Sequence, residues 1–314
     1  MTKSILVTGG AGFIGSWLCK VLADSGRQVI AFDDLSSGEE SNLENLSNVS
    51  LIQGDIRKHS DLSKIPWADI SDCYHLAARG DVQESIENPL LYTSVNIVGT
   101  HNILENCRAW NLPILFMSTC MVYGLNSYQK IANDGINEEF PTLPISPYGA
   151  SKLAGEQLAL SYFYSYGLSV KIARPFNTYG PFQKANNLEG GVIPLFLNRK
   201  RQGNDLFVFG SGNQSRDFLY ARDCAEFLIS YMRTDNVPMI LNAGSDKTIT
   251  ISELANTISA GDISIKYVDH PHPQSEIQRL LCDSSLARKT LGWEPRTSLK
   301  KGLEENLKWL NIRS

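Results

Sequence analysis

The 314-residue chain has no Cys-x-x-Cys pair, and its six cysteines (Cys19, Cys73, Cys107, Cys120, Cys224, Cys282) are scattered. That argues against a disulfide framework or a structural zinc site. Basic residues do not outnumber acidic ones: 29 stand against 33, a formal net charge of −4. The electrostatic footprint of a nucleic-acid-binding surface is missing. Apolar runs such as Pro113–Met117 fall far short of the ~20 residues of a membrane span. The neighbours of His75, His101, His270 and His272 supply no ligand set, so no metal is expected. The chain enters Ser4-Ile5-Leu6-Val7-Thr8 and a glycine turn at once, leaving no room for a signal peptide. No repeat or low-complexity tract is present. Composition, at 42% hydrophobic and 20% charged, suits a chain that buries a core. The expectation is a soluble, cytoplasmic protein of two domains, or one large α/β unit with an appendage.

Short apolar runs alternate with helical patterns through the first half. Strands are predicted at Ile5–Thr8, Gln28–Asp33, Val49–Gln53, Asp72–Leu76, Pro113–Ser118 and Leu168–Ala173. Helices are predicted at Phe13–Ser25, Pro89–Trp110 and Pro147–Tyr166. This rhythm implies a Rossmann-type, doubly wound parallel sheet. After Arg174 the rhythm breaks: Pro175, Gly180, Pro181, Asn186, Asn187, Gly190 and Gly191 signal loops. Strands near Phe207–Phe209 and Pro238–Leu241, and helices at Arg222–Arg233, Ile251–Ser259 and Leu299–Leu310, complete the second half. The expected division is a dinucleotide-binding domain over 1–174, rejoined by segments around 218–245. Residues 175–314 would form mainly a smaller C-terminal substrate-binding lid.

Thr8-Gly9-Gly10-Ala11-Gly12-Phe13-Ile14-Gly15 carries G-x-x-G-x-x-G between a predicted strand and a predicted helix. Gly9 makes the turn, Gly12 admits a pyrophosphate to the backbone, and Gly15 lets the helix pack on the strand. The phosphates then meet free N–H groups at the helix N-terminus. Asp33 ends the next strand, 18 residues beyond Gly15. A carboxylate there accepts hydrogen bonds from ribose hydroxyls and repels a 2′-phosphate, which favours NAD over NADP. Gly54-Asp55-Ile56 follows the third strand, at the adenine edge. Leu76-Ala77-Ala78 follows the fourth, where small residues let the chain pass close to a flat cofactor.

Tyr148 and Lys152 form Y-x-x-x-K, which puts both on one helix face. Lys152 can donate to the nicotinamide ribose, and its charge would lower the pKa of Tyr148 toward that of a useful base. Ser118-Thr119-Cys120-Met121 follows a buried strand, at the carboxyl end where α/β enzymes place reactive groups. The Thr119 hydroxyl can bond a sugar hydroxyl.

These segments, with His75-Leu76-Ala77-Ala78, Asn96 and Arg174-Pro175-Phe176-Asn177-Thr178-Tyr179-Gly180-Pro181, resemble the extended short-chain dehydrogenase/reductase family over nearly the whole chain. The nearest group resembles the nucleotide-sugar epimerases, dehydratases and decarboxylases, in a UDP-glucose 4-epimerase-like form. The resemblance implies that Thr119, Tyr148 and Lys152 are catalytic. It also implies that Asn96 and Ser118 join the glycine turn (Phe13 and Ile14 included), Asp33, Asp55, Ile56 and Leu76–Ala78 in holding NAD. Asn177 would meet the diphosphate or sugar, and Val192 and Phe207 would line the base pocket. Arg216 would contact the nucleotide and Arg279 a phosphate.

Relatives share a first step, loss of the C4-hydroxyl proton to tyrosinate and of hydride to NAD. The resulting 4-keto sugar is re-reduced, dehydrated or decarboxylated. Sugar 4,6-dehydratases resemble Thr-Asp-Glu at the catalytic threonine; here Cys120 and Met121 follow it. Methionine cannot transfer protons, whereas Cys120 either transfers them or merely packs. Uronate-using relatives place an arginine after Tyr-Gly-Pro, where this chain has Phe182-Gln183 with Lys184 as nearest cation. Gly80 replaces the lysine-bearing loop of galactose epimerases. A 4-epimerase acting on a UDP- or dTDP-hexose ranks first. A 4,6- or 5,6-dehydratase using Cys120 or water is the alternative. A UDP-glucuronate decarboxylase or epimerase, and a non-catalytic NAD-sensing module, come after these. Apolar residues on two helices (Leu90, Leu91, Val95, Ile97, Val98, Ile103 and Leu104; Leu153, Leu158, Leu160, Phe163, Tyr164 and Tyr166) exceed one sheet-facing stripe and predict a homodimer.

Overall fold

Ile5 and Val7 pack into one apolar cluster, and Leu6 between them packs into another. Ile30, Ala31 and Phe32 divide in the same way, as do Ile114, Leu115 and Phe116. A strand's two-residue period sends alternate side chains to opposite faces, and both faces here are covered by helices. Such strands read as unbroken apolar runs.

A computed structural model describes residues 3–124, 135–184, 191–270 and 272–312. The chain begins with β1 (Ser4–Thr8), α1 (Phe13–Asp24), β2 (Val29–Asp33), β3 (Val49–Gln53), α2 (His59–Leu62) and β4 (Ile70–His75). It continues through α3 (Val82–Glu87), α4 (Pro89–Tyr92), a π-helical stretch over Thr93–Gly99, and α5 (Thr100–Ala109). β5 (Ile114–Met117), α6 (Pro147–Tyr166) and β6 (Val170–Pro175) follow. The strand–helix rhythm is thus where the sequence puts it. The helix predicted over Pro89–Trp110 differs in its middle, where a wider π-turn carries Asn96 into the interior.

The second half holds β7 (Asn177–Tyr179), α7 (Val192–Arg201), β8 (Leu206–Phe209), β9 (Ser215–Tyr220) and α8 (Ala221–Arg233). Then come β10 (Ile240–Ala243), β11 (Thr248–Thr250), α9 (Ile251–Ser259), β12 (Ile265–Val268), β13 (Arg279–Leu280), α10 (Ser285–Leu291) and α11 (Leu299–Ile312). Asn186, Asn187 and Gly190 of the predicted loop lie outside the described residues.

Seven parallel strands form one sheet in the order β10-β6-β5-β4-β1-β2-β3. The chain winds outward from β1 to β3, then crosses to β4 on the other side of β1. The crevice beyond the carboxyl ends of the strands at such a reversal is where open α/β sheets bind ligands. β10 returns from the second half to pair with β6. α8 packs with α1 under the sheet, Cys224, Phe227 and Leu228 sharing a cluster with Leu18 and Leu22. The lid is built round β9, which pairs antiparallel with β11 and parallel with β7 and β13. β8 pairs with β12 separately. Its core gathers Tyr179, Phe196, Leu206, Val208, Leu254 and Leu303.

Candidate active site

Between sheet and lid lies a cleft of about 690 Å³. Its floor starts at Gly9, which turns the chain out of β1 at φ +70. A Cβ there would stand 2.7 Å from the Ala77 nitrogen, so only glycine lets the end of β4 approach. A Cβ on Gly15 would fall 1.9 Å from the Gly9 carbonyl oxygen, so the first turn of α1 also depends on glycine. Gly12 caps α1 with no side-chain bond and no acidic residue follows in the first turn, so the helix offers free N–H groups. Asp33 is buried at the end of β2. Its carboxylate accepts the N–H groups of Ala11 (3.0 Å) and Leu35 (2.9 Å), and burial raises its pKa. Each oxygen keeps a lone pair for a ribose hydroxyl. Ser118, 2% exposed, lines the same cleft, and its Oγ has no hydrogen-bond partner among the described residues. Backbone cradle, helix terminus, terminal carboxylate and orphan hydroxyl together fit a dinucleotide.

Phe13, Ile14, Asp55, Ile56, Leu76, Ala77 and Ala78 also line the cleft. Asp55 is gripped by Arg57 at 2.7 Å, which lowers its pKa. Asn96 is not among the lining residues. Its amide accepts from the N–H of Arg79 (2.8 Å) and donates to the Arg79 carbonyl (3.0 Å) and to Ser151 Oγ (2.9 Å). It thus ties the loop after β4 to α6, and its place is that of a positioning residue.

α6 starts with Ser146 accepting the Gly149 N–H (3.1 Å) and with Pro147 in its first turn. This start puts Tyr148 and Lys152 against the end of β5. Tyr148 and Thr119 both line the cleft, and Thr119 Oγ1 accepts the N–H of Met121 (3.2 Å). The sequence has Lys152 lowering the tyrosine's pKa. In the structure burial wins, and Tyr148 is raised to about 12, with Thr119 as the group that pulls it down. Lys152 is itself buried, with Nζ 4.4 Å from the centre of the Phe116 ring. Burial lowers its pKa to about 7, opposed by the charge of Glu156 one turn on. Cys120, 3% exposed, lines the cleft beside Thr119, and burial pushes its thiol up to about 12.

On the lid side, Asn177, Val192, Phe207, Phe209, Phe218 and Arg216 line the cleft. Asn177 Nδ2 donates to the Asp217 carbonyl (3.2 Å). Arg216 pairs with Glu276 and donates to the Ile277 carbonyl at 2.6 Å. Glu276 also takes His270 Nε2 at 2.6 Å, and His270 stands edge-on to Phe209. Arg279 is absent from the lining: β13 sets it beside Ser215, two residues beyond the carbonyl that holds Arg216. Sequence reasoning weighed His270 only as a metal ligand and passed over Glu276, although Glu276 sits in the same short segment as Arg279. It also passed over Asp81 and Gln83, which line the cleft just after Leu76-Ala77-Ala78.

The segment after β7 straps the lid to α1. Trp17 Nε1 donates to the Pro181 carbonyl (3.0 Å), and Phe182 meets the rings of Trp17 and Trp309. Lys184 pairs with Glu39 at 3.7 Å. Away from the cleft, Asp217, Asp246 and Cys282 converge. The Asp217 carboxylate there is taken up by the N–H groups of Ser245, Asp246 and Cys282 and the Ser245 hydroxyl.

The GDP-mannose 4,6 dehydratase family profile matches residues 6–306. The UDP-glucose 4-epimerase of Mycolicibacterium smegmatis is 30% identical, covering 98% of this chain and 99% of that protein. The crystal structure of Pal from Bacillus thuringiensis superposes with a TM-score of 0.92 at 41% identity, covering 99% of this chain and 100% of that one. The dTDP-glucose 4,6-dehydratase DesIV of Streptomyces venezuelae, solved with NAD bound, gives 0.89 at 28% identity, covering 98% and 97%. The glycine cradle, the Thr119–Tyr148–Lys152 cluster and these likenesses agree: the chain belongs to the extended short-chain dehydrogenase/reductase family, as an NAD-dependent enzyme of the nucleotide-sugar epimerase and dehydratase group.

Proposed function

We propose that the enzyme is a nucleotide-sugar 4-epimerase acting on a UDP- or dTDP-hexose through a transient 4-keto sugar. The observation that carries this reading is the Cys120-Met121 pair next to Thr119. Elimination needs an acid for the leaving hydroxyl and a base at C5. The two positions after Thr119 hold a buried thiol and a thioether, and neither is a carboxylate. Epimerisation asks only for the Thr119–Tyr148–Lys152 set, which is present. The M. smegmatis epimerase, similar over its full length, supports the same choice.

In this reading Thr119 orients the C4 oxygen, and Tyr148 takes its proton and later returns it. Lys152 holds the nicotinamide ribose from the same helix face. Bound NAD would supply the hydride acceptor and donor, and a positive ring that favours the tyrosinate. Gly9, Gly12 and Gly15 would seat its pyrophosphate, and Asp33 its ribose. Arg216, with Phe207 and Val192, would face the nucleotide of the substrate; Arg279 is left out of this proposal.

Dehydration is the second reading, favoured by one observation: Cys120 presents a protonated thiol to the cleft beside Thr119. A panel of UDP-, dTDP- and GDP-hexoses, followed by product mass and retention, separates the two. A new peak of unchanged mass supports epimerisation. Loss of the mass of water overturns it in favour of dehydration.

The proposed assembly is a homodimer through α4–α6, which leave Leu90 (80% exposed), Val98, Phe163, Tyr164 (73%) and Tyr166 uncovered. Light scattering tests it. The proposed location is the cytoplasm, in keeping with six free cysteines. Among the described residues no helix is long and apolar enough to cross a membrane.

A further inference from the structure

The charges lining the cleft are unevenly committed. Among the described residues its lysines and arginines are Arg79, Lys152, Lys184 and Arg216. Arg79 pairs with Glu84 at 2.6 Å, Lys184 with Glu39 at 3.7 Å, and Arg216 with Glu276. Lys152 is buried against Phe116. Asp81 lines the same cleft and has no ion-pair partner among the described residues.

Asp81 is firmly held. It caps α3, its Oδ1 accepting the Glu84 N–H at 2.6 Å. Its own N–H donates to the Tyr92 hydroxyl (3.1 Å), and the Tyr92 ring meets Tyr148 edge-on at 6.3 Å between centroids. Asp81 and Tyr148 thus line the same cleft, linked through Tyr92, and the Asp81 charge acts on the phenol. Capping leaves most of its lone pairs open. Two residues on, Gln83 Oε1 is shielded from solvent within the cleft and has no hydrogen-bond partner among the described residues.

We propose that Asp81, seconded by Gln83, selects the sugar: it accepts hydrogen bonds from hydroxyl or amide N–H groups of a neutral hexose and rejects a hexose with a C6 carboxylate. This rests on the nucleotide-sugar reading of the site. If C4 reacts at Tyr148, C6 lies only two bonds further along the sugar, within the field of Asp81. Like charges repel far more strongly in a cleft of low effective dielectric than in water. The cations that could neutralise a uronate are already paired with carboxylates or buried. Open acceptors, by contrast, are costly to bury without a donor, so the wall favours a sugar that brings donors.

Asp81→Asn removes the charge and keeps a capping oxygen, so α3 keeps its start. The NAD-loaded enzyme and this variant are titrated calorimetrically with UDP, dTDP, UDP-glucose, UDP-N-acetylglucosamine and UDP-glucuronate. The wild type should bind UDP-glucuronate at least ~10-fold more weakly than the tighter neutral sugar. Asp81→Asn should narrow that ratio ~5-fold or more, chiefly by gaining UDP-glucuronate, with UDP affinity unchanged. Gln83→Leu should lose neutral-sugar affinity without gaining UDP-glucuronate. Equal wild-type affinities, or a ratio that Asp81→Asn does not move, overturn the inference while UDP binding leaves the nucleotide-sugar reading standing. If neither UDP nor dTDP binds, both fall.

Discussion

Arg174 on β6 and Glu156 on α6 form an ion pair with almost no solvent contact, their side chains 5% and 0% exposed. The guanidinium donates twice, at 2.9 and 2.6 Å. It also donates to the Tyr123 hydroxyl (2.9 Å), which donates to Asn242 Oδ1 on β10 (2.7 Å). Glu156→Met strands the guanidinium, and Arg174→Met strands the carboxylate. Either should cost about 3–5 kcal/mol, because an unpaired charge is left buried. The double variant leaves no stranded charge and should lie well above the sum, with a coupling energy of about 2–3 kcal/mol. Urea unfolding measures this, provided the slope m stays constant across the set. Single variants that cost under about 1 kcal/mol, or a double variant that costs the full sum, would refute the picture of a closed buried pair. Glu156 is also the charge that holds the Lys152 ammonium up against burial. The Lys152 titration, followed by NMR at Nζ, should therefore move from about 7 to lower pH in Glu156→Met.

Other expectations are as direct. Tyr148→Phe should lower turnover by about 10²–10⁴-fold while NAD and nucleotide sugar remain bound, as equilibrium binding would show. Gly15→Ala places a methyl 1.9 Å from the Gly9 oxygen, so the purified variant should lose most of its NAD by absorbance. Burial raises Asp217 from 3.8 to about 6, so the folded state binds this proton more readily than the unfolded chain. Its contribution to stability is therefore greatest below about pH 4 and falls as pH rises through 6. The fall is on the order of 3 kcal/mol, and Asp217→Asn should flatten that part of the profile.

Most of the sheet was legible because its inner strands are buried on both faces and its turns are local. Positions of this kind need no tertiary knowledge: Ile5–Val7 and Ile114–Phe116 are apolar whichever face they take. The glycine turn and the Tyr148–Lys152 spacing were legible for the same reason, being fixed within a few residues. The lid was not. β7, β11 and β13 are two or three residues long and exist only through their pairing with β9. Such pairings leave no periodic trace, so Arg279 could not be told from Glu276 as the residue facing the cleft. The π-turn that buries Asn96 runs through Thr-Ser-Val-Asn-Ile-Val-Gly, a stretch of weak helix formers, but propensity does not report the width of a turn. The direction of the Tyr148 shift depends on burial, which spacing does not report.

The return of β10 to the edge of the main sheet has a consequence for how the chain is made. The strand that completes the seven, Ile240–Ala243, comes after β7, α7, β8, β9 and α8. On the ribosome, an emerging N-terminal half can align six strands, but β6 waits with an unpaired edge until about three-quarters of the chain has been synthesised. An exposed edge of that kind invites mispairing. The Arg174–Tyr123–Asn242 chain reaches across the same boundary, so the late strand arrives with polar partners already in place to receive it.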